Sequence, residues 1–443
     1  MRALWTAAGV SALLLLFGPF APGLAAPLSP TPRVVEGIEI VGARRSSDQV
    51  VLSRLSVRIG DLVDEDELEA SRLRLLSTGF FRRVEFGLRR GSKRGLVLLV
   101  VRIEERNTLR IEELAFGFGP GHVPFGSIGL AETNFLGQGV TVAGALALSE
   151  IQYGGQLRFF VPRLSGTRLQ LSGTASFRRG QELIDPGRAD GPTLDYERRG
   201  GSLGIGFGTG PAQRVSLVYR LESISVDRLP NLDPPTLRQA PSVLGDDSLF
   251  SSLAVTWERD TRDDAFAPTR GARLAVAVEL GSSVIGSDYE FSKYTGEAQR
   301  ALPLGDGQAL VLRVFGGLVQ GDIPFFHQFF RRDFALFALG RDALPRAVGL
   351  NFSRDNDYDD LVLDLGAEYT FPLLEAGRGL LERVLLYTGA GFTLTGSLEE
   401  SQGDAGGRGA FDVFPVTADA GLKVDTAYGR FTLSLAYALD LAL

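Results

Sequence analysis

The chain carries two histidines, His122 and His327, far apart in sequence, and no cysteine. Thiol nucleophiles, thiolate zinc sites and disulfide frameworks are therefore excluded. The absence of thiols also suits an oxidising compartment. Its serines and aspartates form no triad with either histidine. Asp355, Asp357, Asp359 and Asp360 alternate as in a calcium loop, but the required glycine and distal glutamate are missing, so the run reads as a solvated acidic loop. Gly204, Gly206 and Gly208 fall within a strand, where glycine eases curvature, and make no phosphate cradle. A formal net charge of -7 leaves no basic stripe for nucleic acid. No cofactor or metal is implied. The densest polar constellation is Asp260-Thr261-Arg262-Asp263, followed by Pro268-Thr269-Arg270-Gly271. Its simplest chemistry is structural: Pro268 and Gly271 make a turn, and the alternating charges pair at a rim.

The elements that would carry these residues are strands. Glycine is abundant at 55 residues and hydrophobic content is 44%. Yet past the first twenty residues no apolar run is long enough for a membrane helix. Apolar residues without apolar runs imply alternation, which is how a transmembrane barrel hides its hydrophobicity. In Arg168 to Arg178, Leu169, Leu171, Ala175 and Phe177 oppose Arg168, Gln170, Ser172, Thr174 and Arg178. In Leu361 to Phe371, Leu361, Leu363, Leu365, Tyr369 and Phe371 oppose Asp364, Glu368 and Thr370. Gly271 to Leu280 and Phe431 to Leu443 repeat the pattern. About ten tilted residues cross the hydrocarbon, and these strands are long enough.

Ahead of the strands, Arg2, an apolar stretch from Val10 to Phe17 and Gly23-Leu24-Ala25 form a secretory signal peptide over residues 1–25. Pro27, Pro30 and Pro32 stiffen a linker over 26–33. Residues 34–106 then read β-α-α-β-β. Val35 to Val41 alternates as a strand, and Val51, Leu52 and Leu55 have helical spacing. Asp64 and Glu67 form a capping box, and Gly79 fits the stop of that second helix. Arg82 to Leu88 and Leu96 to Ile103 are the last two strands, and Leu96 to Ile103 is expected to offer the sheet edge to a partner.

Fifteen strands can be counted over 108–443. Four connections are long, at 179–194, 227–247, 320–359 and 396–411, and all follow odd-numbered strands. Long loops therefore gather on one side, as they do outside the cell in outer-membrane barrels. The fifteenth strand, 429–443, runs in the same direction as the first, 110–118. The seam between them is expected to be a parallel pair or partly open.

These pieces resemble a known family. Ile40-Val41-Gly42, Gly60-Asp61, Leu73 to Leu76, Gly79-Phe80-Phe81 and Val101 to Glu105 resemble a polypeptide-transport-associated (POTRA) domain. The barrel resembles the BamA/TamA superfamily of outer-membrane insertases and translocators. That likeness rests on Asp260, Arg262, Asp263, Pro268, Arg270 and Gly271, on Glu132 to Gly139, and on Glu368-Tyr369-Thr370-Phe371-Pro372-Leu373. It implies a periplasmic POTRA domain before an antiparallel outer-membrane barrel of nominally 16 strands. It also implies a lumenal latch, in which Arg346 of the long sixth loop meets Glu368. The chain departs from the family where a second acid is usual: Tyr387-Thr388-Gly389-Ala390-Gly391 has none. Its end, Ala427 to Leu443, resembles the family's next-to-last strand.

The implied function is insertion, assembly or translocation of other polypeptides, with unfolded clients and the lipid bilayer as partners. Periplasmic accessory proteins would bind through the POTRA edge. A secretion pore for one dedicated client is the rival reading, although that class typically carries two POTRA domains and a plug helix. An outer-membrane enzyme would need a convergent lumenal acid–base or Ser–His set, and none is found.

Overall fold

A computed structural model describes residues 33–119, 122–164, 167–183, 193–210, 212–227, 243, 247–330, 358–375, 381–396 and 413–442. The expected signal peptide, the proline-rich linker and Arg346 lie outside the described residues.

The N-terminal domain follows the β-α-α-β-β order: β1 Val34–Val41, α1 Asp48–Leu52, α2 Glu65–Ser77, β2 Phe81–Arg90 and β3 Leu96–Glu105. Asp64 caps α2 by accepting the Asp66 and Glu67 N–H groups at 2.8 and 3.2 Å, and Gly79 ends it in the left-handed region at φ +72°. Val51, Leu75, Leu99 and Val101 are fully buried where the helices cover the sheet. Each such side chain contributes about 2 kcal/mol of burial. The first helix is shorter than its sequence spacing suggests, and Leu52 is exposed.

The sheet corrects one expectation. Its order is β1-β3-β2, so Leu96 to Ile103 is the central strand, with β1 parallel on one side and β2 antiparallel on the other. The edges are β1 and β2. Leu99, Val101 and Ile103 pack under the helices, while Leu98 and Val100 on the opposite face are shielded by the neighbouring strands β1 and β2, as befits a central strand.

The second unit is a closed barrel of fifteen strands: β4 Leu109–Gly119, β5 His122–Phe135, β6 Val140–Ser149, β7 Gln152–Val161, β8 Leu169–Leu183, β9 Thr193–Gly210, β10 Gln213–Val226, β11 Ser248–Asp260, β12 Gly271–Gly281, β13 Phe291–Gly305, β14 Gln308–Gly321, β17 Leu361–Glu375, β18 Leu381–Gly396, β19 Val413–Thr426 and β20 Gly429–Ala442. Between β14 and β17, β15 Phe329–Phe330 and β16 Tyr358–Asp359 form a separate two-stranded ribbon. Every neighbouring pair is antiparallel except the closing one. There β20 and β4 meet in parallel at a single position, Gly429 opposite Ile111. The expected parallel seam is present, and fifteen strands rather than sixteen close the barrel.

Alternation sorts the barrel into two environments. Leu146, Leu157, Leu203, Ile205, Phe207, Leu433 and Leu435 face outward and are exposed, as hydrocarbon requires. Polar side chains face the lumen in pairs: Arg273 reaches Glu258 at 2.9 Å and Glu297 at 3.1 Å, and Gln152 reaches Glu182 at 3.0 Å. Toward the end away from the N-terminal domain, an aromatic knot packs inside the barrel against β9 to β17. A 3-10 turn, Phe325–His327, enters it and packs on Tyr196, Phe250 and Phe291. His327 Nε2 lies 3.0 Å from Glu279, whose other oxygen accepts the Ser252 hydroxyl at 2.5 Å. The carboxylate thus sits between serine and imidazole, whereas nucleophile activation needs the imidazole between the other two.

The N-terminal domain docks on the turn between β5 and β6. Ser47 N–H donates to Gly137 O at 2.9 Å, and Asn134 Nδ2 donates to Ser46 Oγ at 2.9 Å. Asn134 Oδ1 in turn accepts the Gly139 N–H at 2.7 Å. Gly137 is left-handed, and a Cβ there would lie 2.0 Å from the Arg45 carbonyl oxygen, so only glycine admits this approach. The domain side of the contact is ordered by Glu105, whose carboxylate accepts the Arg44, Arg45 and Ser46 N–H groups. Burial alone would raise the Glu105 pKa, but these donors outweigh it and hold it below the usual value. A lowered folded-state pKa contributes stability above the unfolded pKa, and that stability is lost as pH falls through the folded value. Glu105→Gln should therefore loosen the docked loop by roughly 1 kcal/mol at neutral pH. Protease sensitivity of residues 44–47 should separate the two chains at pH 7, and the gap should narrow below about pH 4.

Candidate functional site

Three features sit where β17 to β20 meet β4: a lumenal acidic wall, an arginine–carboxylate cluster at the mouth beside the N-terminal domain, and the closing seam. The wall follows from strand phase. On β19, Thr417, Asp419, Gly421, Lys423 and Asp425 alternate inward. Glu368 on β17 also faces the lumen, is 9% exposed and pairs with Lys423. Register places Glu368 opposite Gly389 of β18, and Gly389 opposite Asp419 of β19. Asp419 therefore stands beside Glu368 across a residue with no side chain. The position where the sequence lacks the family's second acid is flanked by one from the next strand. Asp419 is 3% exposed, and neither of its carboxylate oxygens nor the Tyr387 hydroxyl has a hydrogen-bond partner among the described residues.

The signature residues form one scaffold. Arg262 grips Asp260 with Nε–Oδ1 and Nη2–Oδ2 distances of 3.0 and 2.8 Å and reaches Gln299 at 2.6 Å. Asp263 accepts the Thr269 N–H at 2.9 Å and the Arg270 N–H at 3.3 Å. The Arg270 guanidinium itself is exposed and 3.9 Å away. Pro268 is buried, and Gly271, at φ +96°, brings its backbone against Thr261 O, where a Cβ would lie at 2.2 Å. These residues shape the turn between β11 and β12 and do not meet Glu368.

What they position is Asp264, which the sequence reading did not single out. Its carboxylate reaches Arg383 of β18 at 2.7 Å and Arg430 of β20 at 3.4 Å. Asp425, at the end of β19, takes Arg106 at 2.9 Å, Arg383 at 3.7 Å and Arg430 at 3.7 Å. Arg106 also pairs with Glu382 and donates to Thr426 O at 3.1 Å. Arg82 of β2 reaches Glu382 at 3.1 Å. Strand phase could have flagged Lys423 and Asp425, but nothing local in sequence links Asp264 to strands across the lumen. No group of three His, Cys, Asp or Glu side chains that could hold a metal occurs among the described residues.

The seam is thin. Ile111 N–H donates to Tyr428 O at 2.9 Å beside the Gly429–Ile111 position. A Cβ on Gly429 would lie 2.5 Å from Ile111 O. By contrast, the β19–β20 ladder pairs every residue from Gly429 to Ala442.

A membrane barrel with a thin parallel seam, preceded by a small α+β domain docked at one mouth, defines a class of outer-membrane proteins. The Omp85 superfamily domain model matches residues 134–441, and the chain belongs to that superfamily. The "Surface antigen variable number repeat" model matches residues 34–106, the POTRA domain. The chain is 27% identical over 307 residues to the outer membrane protein assembly factor BamA of Nitratidesulfovibrio vulgaris, covering 67% of this chain and 36% of that one. It is 23% identical over 397 residues to the BamA of Neisseria meningitidis serogroup B, covering 84% and 48%. The chain thus spans less than half the length of these relatives. Among solved structures, BamA from Haemophilus ducreyi lacking POTRA domains 1-3 superposes with a TM-score of 0.55 at 15% identity, over 93% of this chain and 81% of that one. CdiB from Escherichia coli gives 0.55 at 12% identity, over 95% and 89%. The barrel lies in the outer membrane with its POTRA domain in the periplasm, so the mouth beside that domain is the periplasmic one.

The acidic wall yields a direct expectation. Lys423→Met removes the ammonium paired with Glu368 and leaves two carboxylates side by side. It should cost about 2 kcal/mol, less than a dry buried pair because the lumen is polar. Asp419→Asn in the same chain should recover part of that loss. Urea unfolding midpoints of the refolded barrel measure both.

Proposed function

We propose that this protein assists the insertion and assembly of other polypeptides in the outer membrane, with the β4–β20 seam as the site of action. The observation that carries this reading is the single parallel position at which β20 and β4 pair. An incompletely paired strand edge is a template for another strand, because its N–H and C=O groups lack partners. In lipid such groups cost several kcal/mol each, so an incoming strand is strongly favoured there. No nucleotide is required, since burial of the client's apolar face drives the step.

A secretion pore for a dedicated client is the second reading, and the likeness to CdiB structures supports its fold. The aromatic knot around Phe250 and Phe325 narrows the lumen on the side of β9 to β17, which supports the lateral route over an axial one.

Two further parts belong to the proposal. The POTRA domain takes up an extended client or accessory segment at the outer edge of β2. A groove there is lined by Arg72, Leu76, Arg82, Val84, Phe86 and Arg102, where backbone pairing would give affinity and the side chains selectivity. The lumenal latch pairs Arg346 with Glu368, and Asp419 supplies the second carboxylate that position 389 lacks.

The test is reconstitution of the full chain in vesicles with an unfolded outer-membrane barrel as client, followed by the client's heat-modifiable gel shift. The chain should speed client folding several-fold over empty vesicles, and an unchanged rate would overturn the proposal. In the same assay Arg346→Ala and Glu368→Gln should each slow folding, and the double substitution should add little. Fully additive losses would dissolve the latch.

A further inference from the structure

The turn between β11 and β12 does more than connect them. β20 lies six strands round the barrel from β12, so contacts between this turn and β20 cross the periplasmic mouth. Asp264 makes that crossing by pairing with Arg383 and Arg430. Phe266 makes it beside Asp264: its ring centroid lies 5.3 Å from the Arg430 guanidinium and 6.0 Å from Lys423 Nζ. The base of the turn is rigid, pinned by the Arg262–Asp260 grip, the Asp263 hydrogen bonds and the buried Ala267 and Pro268. Arg430 in turn is the residue after Gly429, which makes the seam's one register position among the described residues, and two after Tyr428, which accepts the Ile111 N–H.

We propose that residues 261–270 are a strap across the periplasmic mouth that keeps the closing strand in place, with Asp264 as the positioning residue acting through Arg430. A charge-assisted pair contributes about twice as much as a neutral hydrogen bond. Beside a seam paired at a single register position, it is a substantial local hold. The strap also shares its hub with the POTRA domain. Asp425 takes Arg430 and Arg383 from the barrel and Arg106 from the segment that leads out of β3. A displacement of the domain that withdraws Arg106 leaves Asp425 to Arg383 and Arg430 alone, so the domain's position bears on the seam. The consequence for client insertion rests on the function proposed above. The strap itself does not, and its test uses no client.

The test is hydrogen exchange followed by mass spectrometry on the full chain in lipid nanodiscs. Asp264→Asn should raise exchange about tenfold in peptides covering 109–114 and 428–433, with the β8–β9 ladder unchanged. Arg430→Gln should do the same, and the pair together should add little. Asp264→Glu should restore most of the protection. Unchanged seam exchange in Asp264→Asn would overturn the proposal. So would a rise confined to β11, β12 and the turn itself, which would mark Asp264 as a purely local turn residue. Loss of client folding with an intact strap would count against the insertion reading alone.

Discussion

A polypeptide backbone in hydrocarbon has no water to bond with, so every N–H and C=O must find a partner within the protein. This constraint organises the whole chain. It explains strands of ten to eighteen residues, the alternation that sends leucines outward and ion pairs inward, and closure into a barrel. It also identifies the place where closure is least complete. Fifteen strands put the first and last in the same direction, and a parallel pair is slightly weaker per residue than an antiparallel one. Here even that pairing is reduced to Gly429 opposite Ile111. The energetic deficit of the barrel is concentrated at one line, and the charged clusters of β17 to β20 lie beside it.

Those clusters sit on two levels. At the periplasmic mouth, Asp264 and Asp425 gather Arg106, Arg383 and Arg430, joining a turn from the opposite wall, the last strands and the POTRA domain. Deeper in the lumen, Glu368, Asp419, Lys423 and Tyr387 form a wall whose Asp419 lacks a donor among the described residues. Both levels use the polar face of the same alternation that makes the outer face apolar. Strand register, set by the pleat, is what places Asp419 next to Glu368 over Gly389.

Much of this was legible in the sequence. Period-two alternation gave the fifteen strands with ends displaced by only a few residues, because lipid imposes the pattern on every strand alike. The parity of the long connections gave the orientation. The β-α-α-β-β order of the N-terminal domain was readable from helix spacing, the Asp64 cap and Gly79. Its sheet order was not: the edge was expected at Leu96 to Ile103, whereas this strand is flanked by β1 and β2 and shielded by both. The signature around Asp260 to Gly271 was visible as a motif, but its product, the reach of Asp264 to Arg430, was not, since contacts across a lumen leave no local period. Asp419 escaped notice for a related reason. Its role depends on a register two strands away from Glu368.

The central claim is that the β4–β20 seam must open for client strands to enter. The chain's lack of cysteine allows a direct trial. One cysteine placed in 109–114 and another in 428–433 can be joined by a cleavable bifunctional maleimide in the reconstituted protein. Cross-linked chains should lose client folding and regain it on cleavage, while single-cysteine chains treated alike remain active. Full activity with the seam covalently locked would contradict the account.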